Sequence, residues 1–370
     1  MTFKKISAAF MSAVLAVTMC GCGKSSQTSS ENSSDTAANI NSDITAGTSS
    51  AAQPEESAGN TGNESKPAVE AVKGFKVDGT KLLDANGNEF VMRGVNHAHT
   101  WFQDKLDIAI EAIAATGSNT VRIVLADGDQ WNKSTPEEVE QIIAKCIEYK
   151  MIAVLEVHDA TGKEERTYLD NAVDFWIELT DILNAHTDTV IVNIANEWIG
   201  KWDASKWKVV YSSAITKMRE AGIKNTIMVD AAGWGQYGAS IKQSGKAVFE
   251  SDPDRNTMFS VHMYGTAGKD EKTITDNLKG ATDQGLCIIV GEFGYNHSDG
   301  DVDEGFIMQY CNDNDLGWLG WSWKGNGGDV KYLDIAKEWD GSVLSEDWGE
   351  ILVNGENGIR QTSKICSVFE

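Results

Sequence analysis

The sequence predicts an α/β protein, a single (β/α)8 TIM barrel preceded by an export signal and a disordered linker. Short apolar segments recur eight times between residues 90 and 322, and helical patterns separate them. The stretch 74–370 that follows the linker is long enough for one such barrel. Hydrophobic residues make up 41% of the chain and charged residues 24%, which excludes a polytopic membrane protein and a wholly disordered chain.

The first 22 residues have the pattern of an export signal. Lys4 and Lys5 form a basic start, and the apolar run 6–19 is too short to span a bilayer comfortably. Cys22 follows a small residue directly after this run, as the lipidated cysteine does in bacterial lipoprotein signals. We therefore expect residues 1–22 to be a lipoprotein-type signal peptide, with an ordinary cleaved signal as the alternative.

Residues 23–73 are rich in Ser, Thr, Asn and Gly, and no aromatic residue occurs between Phe10 and Phe75. Such a segment cannot bury enough apolar surface to offset the entropy of ordering it. We expect a flexible linker that tethers the domain to the outer face of the cell membrane. The protein would then be extracellular and would touch the membrane only through its lipid anchor.

Eight apolar segments are the predicted barrel strands, and their starts are 28 to 38 residues apart. Continuous apolar segments are typical of parallel strands that are buried on both faces. The predicted strands are Phe90–Val95, Thr120–Leu125, Ile152–Val157, Val190–Ala195, Thr226–Asp230, Phe259–Met263, Cys287–Gly291 and Gly317–Ser322. Helical patterns lie between them, including Leu106–Ala115, Pro136–Tyr149, Ala172–Leu183 and Trp207–Glu220.

Two further elements flank the repeat. The segments 75–77 and 81–83 flank an Asp78–Gly79 turn, so we expect a small hairpin at the bottom of the barrel. The segment Thr362–Val368 predicts a terminal helix that completes the barrel.

The formal net charge of −23 argues against a nucleic-acid partner, because such partners require basic patches. The spacing of the cysteines after the signal matches no metal motif, and we expect neither a metal nor a cofactor. We expect the protein to act as a monomer. Two states stay open for the cysteines, buried free thiols or one of three paired connectivities of Cys146, Cys287, Cys311 and Cys366.

Two glutamates stand out among the polar residues that collect at the strand ends. Glu197 closes the fourth strand and Glu292 the seventh, on opposite sides of the barrel mouth where active sites of this fold lie. Glycoside hydrolysis requires one protonated acid for the leaving oxygen and one carboxylate at the anomeric carbon. The sequence therefore predicts a glycosidase with these two side chains facing each other across a sugar chain.

The strand ends resemble glycoside hydrolase family 5, whose members are (β/α)8 retaining glycosidases. That family carries Arg on strand two, His on strand three, Asn-Glu on strand four, His-x-Tyr on strand six, Glu on strand seven and Trp on strand eight. The corresponding residues of this chain are Arg122, His158, Asn196, Glu197, His262, Tyr264, Glu292 and Trp323. The resemblance covers roughly residues 75–370.

The resemblance implies that Glu197 is the general acid/base and Glu292 the nucleophile. Arg122 and the Tyr264 hydroxyl would favour the ionised form of the nucleophile. The charge of Glu292 would in turn raise the pKa of Glu197 and keep it protonated near neutral pH.

The remaining family positions would hold the sugar. Asn196 would bond the sugar 2-hydroxyl, His158 and His262 would orient hydroxyls and carboxylates, and Trp323 would be the platform on which the sugar stacks. For the two histidines and the tryptophan, simple core packing is the alternative interpretation.

Two stretches are similar to those of bacterial β-mannanases of this family, Arg93–Phe102 at strand one and Ala232–Gln236 after strand five, and the strand-six stretch His262–Tyr264 also fits that group. The resemblance implies an endo-β-1,4-mannanase that binds and cuts β-mannan, as mannan, glucomannan or galactomannan. Trp101 and Trp234 are further candidate sugar platforms, with loop packing as the alternative. One departure is the loop Gly265–Gly268, which is less bulky than expected of the family.

Two other functions stay open. A β-1,4-glucanase (cellulase) would use the same fold and the same carboxylates. A sugar-binding lipoprotein without catalysis would fit the signal and the linker, but it would give no role to Glu197 and Glu292.

Overall fold

The computed structural model describes residues 74–370, and its element order confirms the predicted repeat. The predictions of a signal, a lipidated Cys22 and a linker lie outside the described residues. The strands are β1 (Lys76–Asp78), β2 (Lys81–Leu83), β3 (Arg93–His97), β4 (Thr120–Leu125), β5 (Ile152–Val157), β6 (Val190–Asn193), β7 (Ile227–Asp230), β8 (Thr257–Met263), β9 (Ile288–Phe293), β10 (Asn296–His297), β11 (Gly300–Asp301) and β12 (Gly317–Gly320).

Eight of these strands form a closed parallel barrel in the order β12-β3-β4-β5-β6-β7-β8-β9, in which β12 also pairs with β9. The predicted (β/α)8 barrel is therefore confirmed. The α-helices are α1 (Leu106–Ala115), α2 (Pro136–Glu148), α3 (Arg166–Glu178), α4 (Thr180–Ala185), α5 (Ala204–Glu220), α6 (Gly238–Ser251), α7 (Glu271–Thr282), α8 (Glu304–Asp313), α9 (Gly349–Asn354) and α10 (Ile359–Thr362).

The hairpin predicted at the barrel bottom is present. Strands β1 and β2 pair antiparallel, and Phe75, Val77 and Leu82 pack in one buried cluster with residues from the amino-terminal ends of the barrel strands. Asn256 fixes the hairpin to the barrel, because its Oδ1 accepts from the Val77 amide at 3.0 Å and its Nδ2 donates to the Phe75 carbonyl at 3.0 Å.

Helix α2 connects the helical shell to the carboxyl-terminal end of a barrel strand. Its first turn has a capping box, in which the Thr135 hydroxyl accepts from the Glu138 amide and the Glu138 carboxylate accepts from the Thr135 amide. Glu138 also lies 2.7 Å from Nε2 of His99, which follows β3. The start of α2 and the end of β3 are thereby held together.

The predicted terminal helix is wrong as a continuous element. Helix α10 ends at Thr362, and only the short 3-10 turn Ser367–Phe369 follows it. The barrel takes a backbone group that a helix would use, because Asn119 Nδ2 donates to the Lys364 carbonyl at 2.8 Å. It also holds the Thr362 side chain, because Arg93 Nε donates to Thr362 Oγ1 at 3.0 Å. The predicted helix 172–183 is likewise two helices, α3 and α4.

The alternative of free thiols holds for the four cysteines of the barrel, which are all buried and unpaired. Burial raises the pKa of each thiol to about 12, so these cysteines are poor nucleophiles near neutral pH. Within residues 74–370, the helices are too short or too polar to cross a membrane.

Candidate active site

Glu292 is the penultimate residue of β9, and both oxygens of its buried carboxylate accept hydrogen bonds. Nη1 of Arg122 lies 2.8 Å from Oε1, and the hydroxyl of Tyr264 lies 2.9 Å from Oε2. Two donors of this kind match an ionised carboxylate and fix its orientation. These contacts are the ones that the sequence predicts for a nucleophile.

Arg122 holds the interior of the site together from the middle of β4. Burial opposes the charge of this guanidinium, but the carboxylates of Glu156, Glu292 and Asp230 outweigh it and raise the pKa of Arg122. Arg122 is therefore a permanent cation under the carboxylates. Its further hydrogen-bond and ion-pair partners are Asn96 (3.0 Å), Asn193 (2.8 Å), Asn196 (2.8 Å), Asp230 (3.6 Å) and Glu156 (3.7 Å).

Glu197 follows β6 in a left-handed backbone conformation with φ of 49°. This conformation is uncommon for a residue other than glycine, and it is held from both sides. The Glu197 amide donates to Asp230 Oδ2 at 3.0 Å, and its carbonyl accepts from the Gly162 amide at 3.3 Å. The backbone of the loop is thereby fixed where its side chain enters the site.

His262 reaches both glutamates because the pairing of β8 with β9 shifts register next to it. Val261 pairs with Val290, whereas His262 pairs with Glu292, so Gly291 is left unpaired. Such bulges redirect side chains beside active sites. A Cβ at Gly291 would overlap Oγ of Ser260, which explains the glycine.

The three side chains meet at the centre of the barrel mouth. Nδ1 of His262 lies 2.9 Å from Glu197 Oε1 and 3.6 Å from Glu292 Oε2. One carboxylate oxygen of each glutamate and a ring nitrogen of His262 all lie within 4.8 Å of one another. The structure thus brings the two predicted carboxylates face to face.

The surroundings raise the pKa of both His262 and Glu197. Burial opposes the imidazolium, but the carboxylates of Glu292, Asp230 and Glu197 outweigh it and raise the pKa of His262 to about 9. Burial raises the pKa of Glu197, as does the charge of Glu292, while the hydrogen bond from His262 opposes the increase. Near neutral pH the site therefore favours a charged His262, and it shifts the Glu197 carboxyl toward its protonated form.

Glu197, His262 and Glu292 are close enough to share a metal ion. Their ligand atoms are already engaged, because His262 donates to Glu197 and Tyr264 donates to Glu292. The pKa of His262 near 9 favours the protonated imidazole, so a metal ion would have to displace that proton as well as both hydrogen bonds.

Aromatic rings form one wall of the site around His158. Nδ1 of His158 donates to buried Glu156 Oε1 at 2.9 Å, which orients the ring. Trp321 stacks on it with centroids 5.8 Å apart and an interplanar angle of 22°. Trp101 and Trp131 contact the same imidazole with centroids at 5.1 and 5.7 Å.

The prediction that Trp323 is the sugar platform is wrong, because this side chain is fully buried and lies outside the site. Its Nε1 donates to the Trp339 carbonyl at 3.0 Å, and its ring packs next to Gly341. Trp321, two residues earlier, is partly exposed and is the ring that reaches His158. The residue that can stack against a sugar is therefore Trp321.

The other predicted residues lie around the carboxylates. Buried Asn196 accepts from Arg122 through Oδ1 and donates from Nδ2 to Thr161 Oγ1 at 2.9 Å, which leaves its second amide hydrogen for a ligand. Trp234 is 49% exposed and precedes Gly235, which touches the His262 ring. Both tryptophans named as further platforms, Trp101 and Trp234, are thus at the mouth of the barrel.

The small residues of the loop Gly265–Gly268 are explained by the hairpin β10–β11. A Cβ at Gly265 would overlap the backbone nitrogen of Gly300 in that hairpin. Asp299 accepts at its tip from the Gly265 amide, the Thr266 amide and hydroxyl, and Gln236 Nε2, at 2.8 to 3.1 Å. This carboxylate therefore joins the loops that follow β7, β8 and β9.

Several residues of the site have no role in the sequence-based prediction. The sequence could have identified Asp230 and Glu156 as site residues, since each is a charged residue within an otherwise apolar strand. Asn193 has a weaker signal of the same kind. Trp131 has none, because it lies in a loop whose path the sequence does not show.

Comparisons with known proteins agree with this geometry. Residues 83–327 match the family model described as cellulase (glycosyl hydrolase family 5). The chain is 52% identical over 296 residues to a mannan endo-1,4-beta-mannosidase of Salipaludibacillus agaradhaerens, covering 80% of this chain and 96% of that protein. It is 44% identical over 306 residues to the enzyme of the same name from Streptomyces lividans, covering 82% and 79%.

Solved structures show the same similarity. The crystal structure of a beta-mannanase from Streptomyces thermolilacinus with mannohexaose superimposes with a TM-score of 0.76 at 42% identity, covering 80% of this chain and 99% of that one. The resemblance expected from the strand-end residues is thereby confirmed. The chain belongs to glycosyl hydrolase family 5.

Proposed function

We propose that this protein is an endo-acting retaining β-mannanase, which cleaves β-1,4-mannosidic bonds in mannan, glucomannan or galactomannan. The spacing of the carboxylates carries the mechanism, since facing oxygens of Glu197 and Glu292 lie within 4.8 Å. Retaining glycosidases hold their carboxyl groups about 5–5.5 Å apart, whereas inverting enzymes need roughly 6.5–9.5 Å to admit a water. The names of the similar enzymes support the choice of mannan.

In the first step Glu197 protonates the glycosidic oxygen while Glu292 attacks the anomeric carbon. Oε1 of Glu197 already accepts from His262, so the proton to be transferred is carried by Oε2. Arg122 and Tyr264 hold the attacking carboxylate in one orientation. The leaving sugar departs with the proton, and a covalent glycosyl-enzyme ester remains on Glu292.

In the second step Glu197 takes a proton from a water molecule whose oxygen attacks the anomeric carbon, and the bond from that carbon to Glu292 breaks and frees the Glu292 carboxylate. The pKa of Glu197 is raised by burial and by the charge of Glu292. That charge disappears when Glu292 is esterified, so the pKa of Glu197 falls and the same group can act as a base. Asn196 and Trp321 would hold the reacting sugar, the first by hydrogen bonding and the second by stacking.

Reducing-sugar release by residues 74–370 tests the substrate. We expect cleavage of glucomannan and galactomannan, little cleavage of carboxymethyl cellulose and barley β-glucan, and none by Glu292→Ala. A preference for the two glucans would replace the mannanase with a β-1,4-glucanase and would leave the carboxylate argument intact.

The stereochemistry of the first product tests the mechanism separately. Proton NMR of mannohexaose hydrolysis should show the β-anomer before mutarotation. Azide should rescue Glu292→Gly as an α-glycosyl azide and Glu197→Gly as a β-glycosyl azide. An α-anomer as the first product would exclude the covalent intermediate.

We also propose that the protein is exported and tethered outside the cell through a lipidated Cys22, and that it acts as a monomer. The basic and apolar start of the chain and the composition of residues 23–73 support this placement. Cys22→Ser should move the full chain from the membrane fraction to the medium and abolish palmitate labelling. Labelling that survives this substitution would reject Cys22 as the acceptor.

A further inference from the structure

The ring of His297, on the short strand β10, packs against the ring of Tyr264. The two ring centroids are 4.4 Å apart, and the interplanar angle is 31°. Tyr264 is buried, and its hydroxyl donates to Oε2 of Glu292 at 2.9 Å. His297 is therefore one side chain away from the carboxylate that attacks the sugar. It has no role in the sequence-based prediction.

The hydroxyl of Tyr264 lies at the far end of its ring. A small rotation about the Cα–Cβ bond of a tyrosine therefore moves its hydroxyl by a large distance. A hydrogen bond weakens steeply as its length and angle depart from the optimum. A neighbour that packs against the face of the ring opposes this rotation, and His297 is such a neighbour.

His297 is itself held by Asp299 in the same hairpin. Nδ1 of His297 lies 2.7 Å from Oδ1 of Asp299. The carboxylate of Asp299 also accepts from the amides of Gly265 and Thr266 at 3.0 and 2.9 Å, and these two residues directly follow Tyr264. One carboxylate thus fixes both the imidazole and the segment that carries the tyrosine.

The hairpin β10–β11 and the Tyr264 segment also touch through their backbones. A Cβ at Gly265 would lie 2.3 Å from the backbone nitrogen of Gly300, the residue that pairs with His297. The Gly268 amide donates to the Tyr264 carbonyl at 2.6 Å, which closes the segment into a tight turn. The spacing of the two rings is therefore set by closely packed backbone.

We infer that His297 is a positioning residue, which holds the Tyr264 hydroxyl on Oε2 of Glu292 through the contact between the two rings. This inference rests on the proposed function, because it assigns His297 to the orientation of the nucleophile. The other donor to Glu292 is Arg122, which is held inside the barrel by Asn193. Loss of His297 would therefore loosen one hydrogen bond to Glu292 and leave the other in place.

A double-mutant cycle tests this role by kinetics. We expect His297→Ala to lower kcat on mannohexaose about fivefold and to leave KM near the wild-type value, because the contact is with Tyr264 and not with the sugar. In the Tyr264→Phe background, which lacks the hydroxyl, the same change should cost less than about twofold. Asn296→Ala, an exposed change on the same strand, is the control.

Two conservative variants separate the contacts of His297. His297→Phe keeps a ring against Tyr264 and should restore most of kcat. His297→Asn keeps only a donor to Asp299 and should behave like His297→Ala. Equal losses in the presence and absence of the Tyr264 hydroxyl would overturn the inference, as would a raised KM with an unchanged kcat.

Crystal structures of the wild-type protein and of His297→Ala test the same contact without turnover. We expect the distance from the Tyr264 hydroxyl to Glu292 Oε2 to lengthen in the variant, while the distance from Arg122 to Glu292 stays the same. An unchanged Tyr264 hydrogen bond would overturn the inference whatever the kinetics show. If the wild-type protein cleaves no mannan, the proposed function fails, and these distances still decide whether His297 positions Tyr264.

Discussion

His262 donates from Nδ1 to Oε1 of Glu197 over 2.9 Å, inside a barrel mouth where both side chains are buried. The same register shift that aims His262 at Glu197 sets it directly opposite Glu292 in the next strand. One imidazole therefore faces both carboxylates.

Replacing His262 with asparagine should move the basic limb of the pH profile upward. Charge and hydrogen bonding from His262 lower the pKa of Glu197, so their loss raises it, and Glu197 keeps its proton to higher pH. We expect kcat/KM to fall roughly ten- to hundredfold, as for the loss of a charged hydrogen bond. The pH dependence of kcat/KM on mannohexaose measures both effects, with His186→Asn as the control. A basic limb that moves downward would contradict this prediction.

Asp230→Ala should lower kcat with little change in KM. The buried carboxylate accepts from the Glu197 amide, and an unsatisfied buried amide costs about 1–3 kcal/mol. The left-handed loop would relax and misplace the proton donor. Asp230→Asn keeps one acceptor oxygen, so its loss should be smaller. Steady-state kinetics show whether Asp230→Ala loses more kcat than Asp230→Asn. Equal losses would argue against a role of Asp230 in holding the Glu197 backbone.

Asp299→Asn should lower the melting temperature although Asp299 lies at the surface. Burial opposes its charge, but hydrogen bonds from His297, Thr266 and Gln236 outweigh burial and lower the pKa of Asp299. The ionised Asp299 carboxylate therefore stabilises the fold above the unfolded-state pKa of ~3.9, and this stabilisation is lost as the pH falls. The difference in melting temperature from wild type should be largest at neutral pH and should shrink below about pH 4. Asp301→Asn in the same hairpin is the control.

Gly265→Ala should be far more damaging than Gly305→Ala. A methyl group at Gly265 would overlap the backbone of Gly300, whereas a Cβ at Gly305 meets nothing within 4 Å. The displaced loop begins at Tyr264, which orients Glu292. We expect a lower melting temperature and a lower kcat for the first variant only. Equal effects in thermal unfolding would show that the hairpin is not closely packed.

Trp321→Ala and Trp323→Phe should separate sugar binding from stability. The first removes a partly exposed ring against His158 and should reduce kcat/KM with little change in unfolding. The second removes the buried hydrogen bond to the Trp339 carbonyl and should cost about 1–3 kcal/mol of stability. Denaturant unfolding together with kinetics decides between them. The reverse pattern would restore Trp323 as the platform.

Strand positions and the two glutamates follow from the sequence for one physical reason. A strand buried on both faces must be apolar, so a charged residue at its end stands out, as Glu197 and Glu292 do. The same argument identifies Arg122 and His158. It does not apply to the loops, because no regular period there relates the position of a residue in the sequence to the direction of its side chain.

Trp321 and Trp323 show where prediction ends. Strand β12 stops at Gly320, so the alternation of sides no longer applies beyond it. The amide of Trp323 donates to the Asn96 carbonyl, a contact between distant segments that local sequence does not encode. The register shift at His262 is hidden for the same reason, because it depends on how two strands pair.

The hairpin fixed by Asn256 closes the end of the barrel opposite the carboxylates, and the described chain starts there at Gly74. A support attached directly at Gly74 would therefore join the side away from the cleft. A long insoluble polymer could then lie across Glu197 and Glu292 without colliding with that support. Immobilised through this end, the enzyme should keep its activity on solid mannan.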